Sequence, residues 1–397
     1  MTAPLPIAIC GGGPIGHACA AMLSQRPGVS VSLLSNKASE IRRAMPIEGI
    51  AVQQMNDDPA HGRPAVISSC AEEVIPSANI VILTVPAHIR GGLLQVIHQF
   101  IADDRPVFLG AIPANGGFDW LCQSLRPRRD NLILWGMSGV PWTARDVVLG
   151  QSVRLGGRRE RLEIAVGNGS EQSDVSWLSS TISALFDRPI RVVQSFIELT
   201  LAPGNPVLHG GAIYGLIGPY SQHSDLLFDA PRFWWREISE LGAYFIARLD
   251  LERQQLLQAA HSHLGISADS SWSQYDEIVS SFWPMIDDAR TLFTVLRTNR
   301  AYQGKVPLTA IRDGGFRFDT GSRAFVEDIS FSLALWVKIA GRLRTEVPYM
   351  AEIVDWSRSV ASPDFKAEFD FLPSDWPRSP LANPHAARPP KGGRRTV

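Results

Sequence analysis

Lysine is scarce in this chain. Only Lys37, Lys305, Lys338, Lys366 and Lys391 are present, and the other 33 of the 38 basic residues are arginine. A mechanism that depends on a lysine nucleophile or proton donor therefore has few candidates. Cysteine is scarcer, with Cys10, Cys19, Cys70 and Cys122 all in the first third and no Cys-x-x-Cys spacing. That excludes a disulfide framework and a cysteine-built metal or redox motif; it fits a reducing compartment, with no metal site expected. Excess charge is also missing. The chain carries 38 basic and 39 acidic residues, a net charge of −1, which argues against nucleic acid or an anionic membrane as the main partner. No apolar run approaches the ~18 residues of a membrane span. After Met1 a strand-like segment begins without the basic start and apolar run of a signal peptide, and a cytoplasmic location is expected.

What is present is the composition of a globular protein, 45% hydrophobic and 19% charged over 397 residues. That length exceeds the size at which one hydrophobic core usually stops growing, so two domains are expected. The clearest motif lies near the start. Pro6 to Cys10 is a short apolar run of buried-strand type that feeds into Gly11-Gly12-Gly13-Pro14-Ile15-Gly16, a G-x-G-x-x-G pattern. Small apolar residues at helical spacing follow from His17 to Leu23, then a break at Pro27-Gly28 and a second strand from Val29 to Leu34. Strand, glycines, helix and strand in that order make a dinucleotide site. Gly11 permits the turn, Gly13 lets the backbone approach a pyrophosphate, and Gly16 lets the helix pack on the strand. The helix N-terminus then offers N–H groups and partial positive charge to the phosphates.

Cofactor choice is read at the end of the second strand, where an NAD-binding protein usually places a carboxylate for the ribose hydroxyl. Here the residues are Ser35-Asn36-Lys37, with Arg42 and Arg43 beyond. Cations in place of a carboxylate favour NADP(H), with NAD(H) the alternative.

Further strands are expected at Asn79 to Val85, Pro106 to Gly110 and Asn131 to Trp135. Ligands of open parallel sheets lie beyond the carboxyl ends of the strands, so Val85, Pro86 and Asn115 belong beside the cofactor. Asn115 can donate to a substrate carboxylate or carbonyl, although an Asn-Gly turn explains it as well. The stretch Asp146 to Val166 reads as strands joined by a turn at Gly156 to Arg159, and Arg188 to Val193 as the last strand. The resulting fold class is a Rossmann dinucleotide-binding domain over residues 1–196, then an all-helical C-terminal domain over 197–362.

Between them lies Leu201 to Gly211. Asn205 reads as an N-cap and Pro206 as the first helical residue, which brings His209 one turn into the helix as a catalytic candidate. Gly210, Gly211 and Ala212 leave little side chain around the imidazole, so that something flat could approach it. Helical periodicity follows at Phe233 to Leu264, stopped by Gly265, and at Trp272 to Phe282, Ala289 to Thr298, Phe325 to Leu343 and Val347 to Val360. The tryptophans read as core. After Pro363 the composition turns to Pro, Arg, Ser and Gly, and residues 363–397 read as a disordered tail.

Together the nucleotide domain, Asn205-Pro206-Val207-Leu208-His209 and Ser322-Arg323-Ala324-Phe325-Val326-Glu327-Asp328-Ile329 resemble the octopine/nopaline dehydrogenases, the opine dehydrogenase family. Leu249-Asp250-Leu251-Glu252-Arg253 and Asn299 to Gly304 look like that family's helical domain. The resemblance implies NADH- or NADPH-dependent reductive condensation of an amino acid, or an amine-bearing metabolite, with a 2-oxo acid such as pyruvate or 2-oxoglutarate. It also implies His209 as the acid/base, Asp328 as its partner and Arg323 as the holder of a substrate carboxylate. Gly210 departs from the family pattern, in which many members have proline after the histidine.

The chemistry suits these residue types. Forming an imine requires proton transfer to expel water, which an imidazole can perform. A neighbouring carboxylate fixes its tautomer, and an arginine fork orients a planar carboxylate. The rivals are a ketopantoate or hydroxyacid reductase, which would lean on a catalytic lysine, and a non-catalytic NADPH-sensing regulator. The expected partners are small molecules, with the chain a monomer or homodimer.

Overall fold

The computed structural model describes residues 3–53, 59–167, 170–223, 225–265, 273–312, 314–361, 365 and 367–377. Its centre is an eight-stranded sheet. Strands Leu5–Cys10, Val29–Leu34, Val66–Ser68, Ile80–Leu83, Val107–Ala111 and Leu132–Met137 are parallel and lie in the spatial order 3-2-1-4-5-6, which is the Rossmann order. Leu162–Val166 adds antiparallel to Leu132–Met137, and Ile190–Val192 completes that edge.

These strands read as unbroken apolar runs because both faces are covered. Ile7, Ile9, Ile80 and Ile82 enter one core, while Ala8, Cys10, Val81 and Leu83 enter the core on the other face. The strand order reverses between Leu5–Cys10 and Ile80–Leu83. At that point two connections leave in opposite directions and open a crevice.

A second sheet was not legible in the sequence. Ala60–Gly62, Ile50–Gln53, Ser152–Arg158 and Trp142–Val148 form it in that order. It packs on the helix Pro14–Ser24, so closely that a Cβ on Gly62 would stand 1.8 Å from the Ala21 carbonyl oxygen. The turn expected at Gly156 to Arg159 is therefore misplaced. Gly156, Gly157 and Arg158 belong to a strand, which is irregular between Leu155 and Arg158. The reversal occurs instead around Gly150, whose φ is +72°.

The short helix Phe196–Leu201 links the two halves. A reciprocal capping box between Ser195 and Glu198 starts it, the arrangement that satisfies two otherwise orphaned N–H groups. Phe196 and Leu199 face the sheet core, whereas Ile197 and Leu201 face the helical core. Buried Thr200 serves both sides: its hydroxyl accepts the Gly117 N–H at 3.1 Å and its carbonyl accepts the Trp336 indole N–H at 2.9 Å.

Beyond it the helical half is built on Asn205–Ile217, Glu240–Leu264, Gln274–Phe282, Leu292–Thr298, Ala334–Leu343 and Pro348–Val360. A small antiparallel sheet of Leu227–Phe228, Phe316–Phe318 and Leu308–Ala310 accompanies the helices. Among the described residues no helix is long and apolar enough to cross a membrane.

Several expected boundaries move. Asn205 is the first helical residue rather than the cap; half-buried Gly204 precedes it, and the helix starts without a side-chain cap. The long helix begins at Glu240, because the Ser239 hydroxyl accepts the Gly242 N–H and caps it there. Phe233 to Ile238 is thereby left as a loop, free to turn its tryptophans inward. The stop at Gly265 comes with φ +67°, the left-handed conformation of a helix C-terminus. Trp272 lies outside the described residues.

The tail also departs from expectation in its described part. Residues 367–377 pack against the body through aromatic side chains. Phe369 lies 5.4 Å from Phe331, Trp376 lies 4.9 Å from Trp120, and Leu372 is buried. The Arg342 guanidinium holds the Pro373 and Ser374 carbonyls. Phe365, Phe369, Phe371 and Trp376 supply the apolar area that the surrounding prolines and arginines conceal in an average composition.

Candidate active site

The glycine loop occupies the crevice of the main sheet. Gly11 has φ +134°, and a Cβ there would stand 2.6 Å from Thr84 Oγ1. Gly16 presses on the same turn, since its Cβ would lie 1.8 Å from the Gly11 carbonyl oxygen. Gly13 differs: it is exposed, and a Cβ there would meet no atom within 4 Å. The helix Pro14–Ser24 starts at Gly13 with proline in its first turn and no side-chain cap. These features leave an uncapped helix N-terminus open at the sheet crevice, which is the form a pyrophosphate site requires. The residues present therefore fit a dinucleotide.

His17, one residue past the glycines, is fully buried and pins this loop. Its Nδ1–H donates to the Gly13 carbonyl at 3.2 Å, and its Nε2 accepts the Gly150 N–H at 2.9 Å. Burial lowers the imidazole pKa against the pull of the Gly13 and Gly12 backbone, in keeping with a neutral ring that donates through one nitrogen and accepts through the other.

At the end of the second strand Ser35 is buried and its hydroxyl accepts the Lys37 N–H at 3.1 Å. Asn36, Lys37 and Arg43 are exposed there. Arg42 is turned away to the Ile67 carbonyl at 2.5 Å.

His209 stands one turn into Asn205–Ile217. Its Nδ1 lies 2.8 Å from Asp328 Oδ2, across 119 residues of chain. The imidazole is 20% exposed and the carboxylate 4%. Trp234 stacks on the imidazole at 5.2 Å and Trp235 at 6.0 Å, both from the loop that precedes the long helix. The ring is held by a hydrogen bond at one end and by indole faces at its side. The glycines after it do not open room for a ligand. A Cβ on Gly210 would meet Leu333 at 2.8 Å, and one on Gly211 would meet the Ile246 backbone nitrogen at 2.4 Å. They bring the helix against its neighbours, and this packing sets His209 opposite Asp328.

Asp328 lies in a π-helical stretch, Ala324–Leu333, that continues into Ala334–Leu343. Wider turns of this kind are rare and collect at functional sites. Arg323 is exposed at its start, with no ion pair to a described residue. A cavity of about 300 Å³ opens beside Trp234, lined among others by Ala212, Leu216, Tyr220, Arg232 and Glu237.

Asn115, 7% exposed, follows the strand Val107–Ala111. Its side-chain oxygen accepts from Arg90 at 3.1 Å and its backbone oxygen accepts from the same guanidinium at 2.5 Å. Arg90 also donates to the Val85 and Pro113 carbonyls. Burial draws the Arg90 pKa down to about 10 while the Glu327 charge supports it and Arg323 opposes it; it remains a cation at neutral pH. Val85 and Pro86 are half-buried where this network meets the crevice.

Arg90, Glu327 and His88 were not singled out from sequence, yet signals existed. Glu327 adjoins Asp328, and His88 follows the Pro86 turn. The Glu327 carboxylate accepts the Ala87 N–H at 2.8 Å and lies 2.6 Å from His88 Nδ1. Burial alone would raise its pKa, but the His88 bond, the Arg90 charge and the Ala87 amide outweigh it and hold the pKa at about 2.

The protein thus holds an uncapped helix N-terminus in the sheet crevice, a carboxylate-backed imidazole at the start of Asn205–Ile217 and an exposed arginine at the start of Ala324–Leu333. Such a set can bind a dinucleotide, transfer a proton and hold an acid.

Residues 192–361 match the family model for the NAD/NADP octopine/nopaline dehydrogenase alpha-helical domain. The uncharacterized protein y4xO of Sinorhizobium fredii is 34% identical over 94% of this chain and all of its own length. The octopine dehydrogenase of Mizuhopecten yessoensis is 24% identical over 89% of each chain. Among solved structures, octopine dehydrogenase in complex with NADH and agmatine superposes with a TM-score of 0.77 at 21% identity, over 90% of this chain and 89% of that one. A 2-dehydropantoate 2-reductase from Porphyromonas gingivalis reaches a TM-score of 0.53 at 14% identity, over 90% of this chain and all of that one.

Proposed function

Because the chain belongs to the octopine/nopaline dehydrogenase family of NAD(P)-dependent oxidoreductases, we propose that it joins an amine donor to a 2-oxo acid with His209 as the acid/base. The donor is an amino acid or an amine-bearing metabolite. The observation that carries this reading is the 2.8 Å contact between His209 and Asp328. With the ionised carboxylate accepting at Nδ1, the proton of neutral imidazole resides there and Nε2 is left to exchange protons with substrate.

Attack of the amine on the ketone forms a carbinolamine. His209, having taken a proton at Nε2 from the donor's ammonium group as that group becomes the attacking amine, returns it to the carbinolamine hydroxyl, which leaves as water and gives the protonated imine. A bound nicotinamide would supply the hydride for the carbon of that protonated imine, and the product is the neutral secondary amine. Arg323 holds the oxo-acid carboxylate, and its exposed position without an ion-pair partner among the described residues supports that role. Asn115 presents its amide to the same substrate, with its oxygen already held by Arg90. The cavity beside Trp234 has room for the donor's side chain.

Gly11 to Gly16 would hold the cofactor's pyrophosphate, with Ser35, Asn36 and Lys37 at the adenosine ribose and Val85 and Pro86 beside the nicotinamide. Exposed Lys37 and Arg43 and the absence of a carboxylate at Ser35 to Lys37 support NADP(H) over NAD(H).

The test is oxidation of NADPH and NADH with pyruvate, 2-oxoglutarate and other 2-oxo acids, each crossed with a panel of amino acids. Turnover that requires both reactants, abolished in His209→Ala with cofactor affinity retained, is expected. Oxo-acid reduction without amine would make the chain a hydroxyacid reductase, and cofactor binding without turnover would make it a sensor.

A further inference from the structure

Glu327 and Asp328 are consecutive carboxylates, both nearly buried, and they serve different neighbours. Successive residues of a helix point roughly a quarter turn apart. Asp328 accordingly meets His209 within the helical half, while Glu327 reaches the nucleotide half. There it accepts the Ala87 N–H at 2.8 Å, the His88 N–H at 3.4 Å and the His88 imidazole at 2.6 Å. We propose that Glu327 is a positioning residue: through His88 it fastens the helical half to the rim of the nucleotide half, and so fixes where Asp328 and His209 stand over the cofactor. The claim about His209 rests on the proposed function; the fastening itself does not.

Three further observations support it. The Ala87–Ile89 turn follows directly on Val85-Pro86 at the carboxyl end of the strand Ile80–Leu83, the rim nearest the reacting end of a dinucleotide. That rim is rigid, because buried Arg90 ties the Val85, Pro113 and Asn115 carbonyls together from within. The His88 ring is confined by Phe331, 6.4 Å away on the same π-helical stretch, and by Phe365 edge-on at 5.9 Å. Phe365, beyond the last helix, thus lies against the same contact. Neighbouring Cα atoms are about 3.8 Å apart and rigidly linked, so movement of Glu327 off the rim carries Asp328 with it. A displacement of about 1 Å at an acid/base can cost about a hundredfold in rate.

The experiment compares the full chain with Glu327→Gln, His88→Ala and the double variant, with two readouts. The first is amide hydrogen exchange at Ala87 and His88, which needs no substrate. Exchange at least about tenfold faster in Glu327→Gln, with Ile80–Leu83 unchanged, is expected; unchanged exchange at Ala87 and His88 overturns the proposal. The second is the split between kcat and the cofactor dissociation constant. Glu327→Gln should lower kcat about tenfold or more with cofactor affinity within about twofold, and the double variant should be no slower than the slower single. Additive losses, or an unchanged kcat, overturn the positioning role. If the wild-type chain condenses no amine with any oxo acid, the proposed function fails while the exchange readout still decides the fastening. Glu327→Gln is near-isosteric, so it folds where a truncation to alanine would leave a cavity, and it removes the charge that strengthens the bonds from the Ala87 and His88 donors.

Discussion

Replacing Asp328 with asparagine changes one atom and tests the His209 assignment directly. In the folded protein the carboxylate accepts from the imidazole at 2.8 Å, with 4% and 20% of the two side chains exposed. A hydrogen bond to an ionised group contributes roughly 1.5–3 kcal/mol, and the burial leaves little solvent to screen it. Asparagine can present its oxygen to Nδ1, which keeps a neutral bond and loses the charge that supports imidazolium. It can instead present its NH₂, which reverses the tautomer and leaves Nε2 protonated before a proton is needed there. Either arrangement raises the barrier by at least about 2 kcal/mol, or about thirtyfold in kcat/KM. The assay is the initial rate of cofactor oxidation with an amine and oxo-acid pair that the wild-type chain turns over, followed from about pH 6 to 9 around the imidazole range. Cofactor affinity, read from quenching of tryptophan fluorescence, should stay within about twofold. A kcat/KM within about threefold of wild type at every pH would refute the reasoning and remove Asp328 from the mechanism.

Other outcomes follow from the same geometry. Gly13→Ala should fold with an unchanged melting temperature, because its Cβ meets nothing and its φ of −84° suits any residue, yet cofactor affinity should fall at least about tenfold, about 1.4 kcal/mol. Gly16→Ala should instead lose about 1–3 kcal/mol of stability by calorimetry, since its Cβ would overlap the Gly11 carbonyl; the reverse pattern would show that the glycine loop is misread. Asp119 carries a buried carboxylate oxygen without a hydrogen-bond partner among the described residues, and burial raises its pKa from 3.8 to about 7. A carboxyl raised in the folded state keeps its full stability below the unfolded value and loses it as pH rises through the folded one. Asp119→Asn should therefore melt with the wild type near pH 4 and above it past pH 7; equal melting temperatures at pH 8 would contradict this.

Much of the nucleotide half was legible because its signals are local. Continuous apolar strands, a glycine pattern and the following helix all fall within short windows, and the sheet's carboxyl ends locate the crevice. The second sheet was not legible, since Ile50–Gln53 pairs with Ser152–Arg158 across about a hundred residues, and although strands were expected within Asp146 to Val166, nothing in either run names its partner. The Phe233 to Ile238 loop was read as helix because its apolar residues continue the helical stripe; the Ser239 cap, a single hydroxyl, overrides that period. Residues 367–377 of the tail were misread by averaging composition over a segment whose few aromatic residues do the packing, while residues 378–397 lie outside the described residues.

Residue types and spacing alone determined that this chain carries a dinucleotide crevice, a lysine-poor chemistry and a histidine near a helix start. Tertiary structure decided which carboxylate serves that histidine. Two adjacent acids stood available; the family resemblance named Asp328, but nothing in residue type or spacing distinguishes it from Glu327. Helix geometry points them to different neighbours, and the close packing at Gly210 and Gly211 brings His209 to Asp328 while Glu327 turns to His88. A one-dimensional pattern can name the groups; their pairing depends on which surfaces can approach closely enough for hydrogen bonds to form.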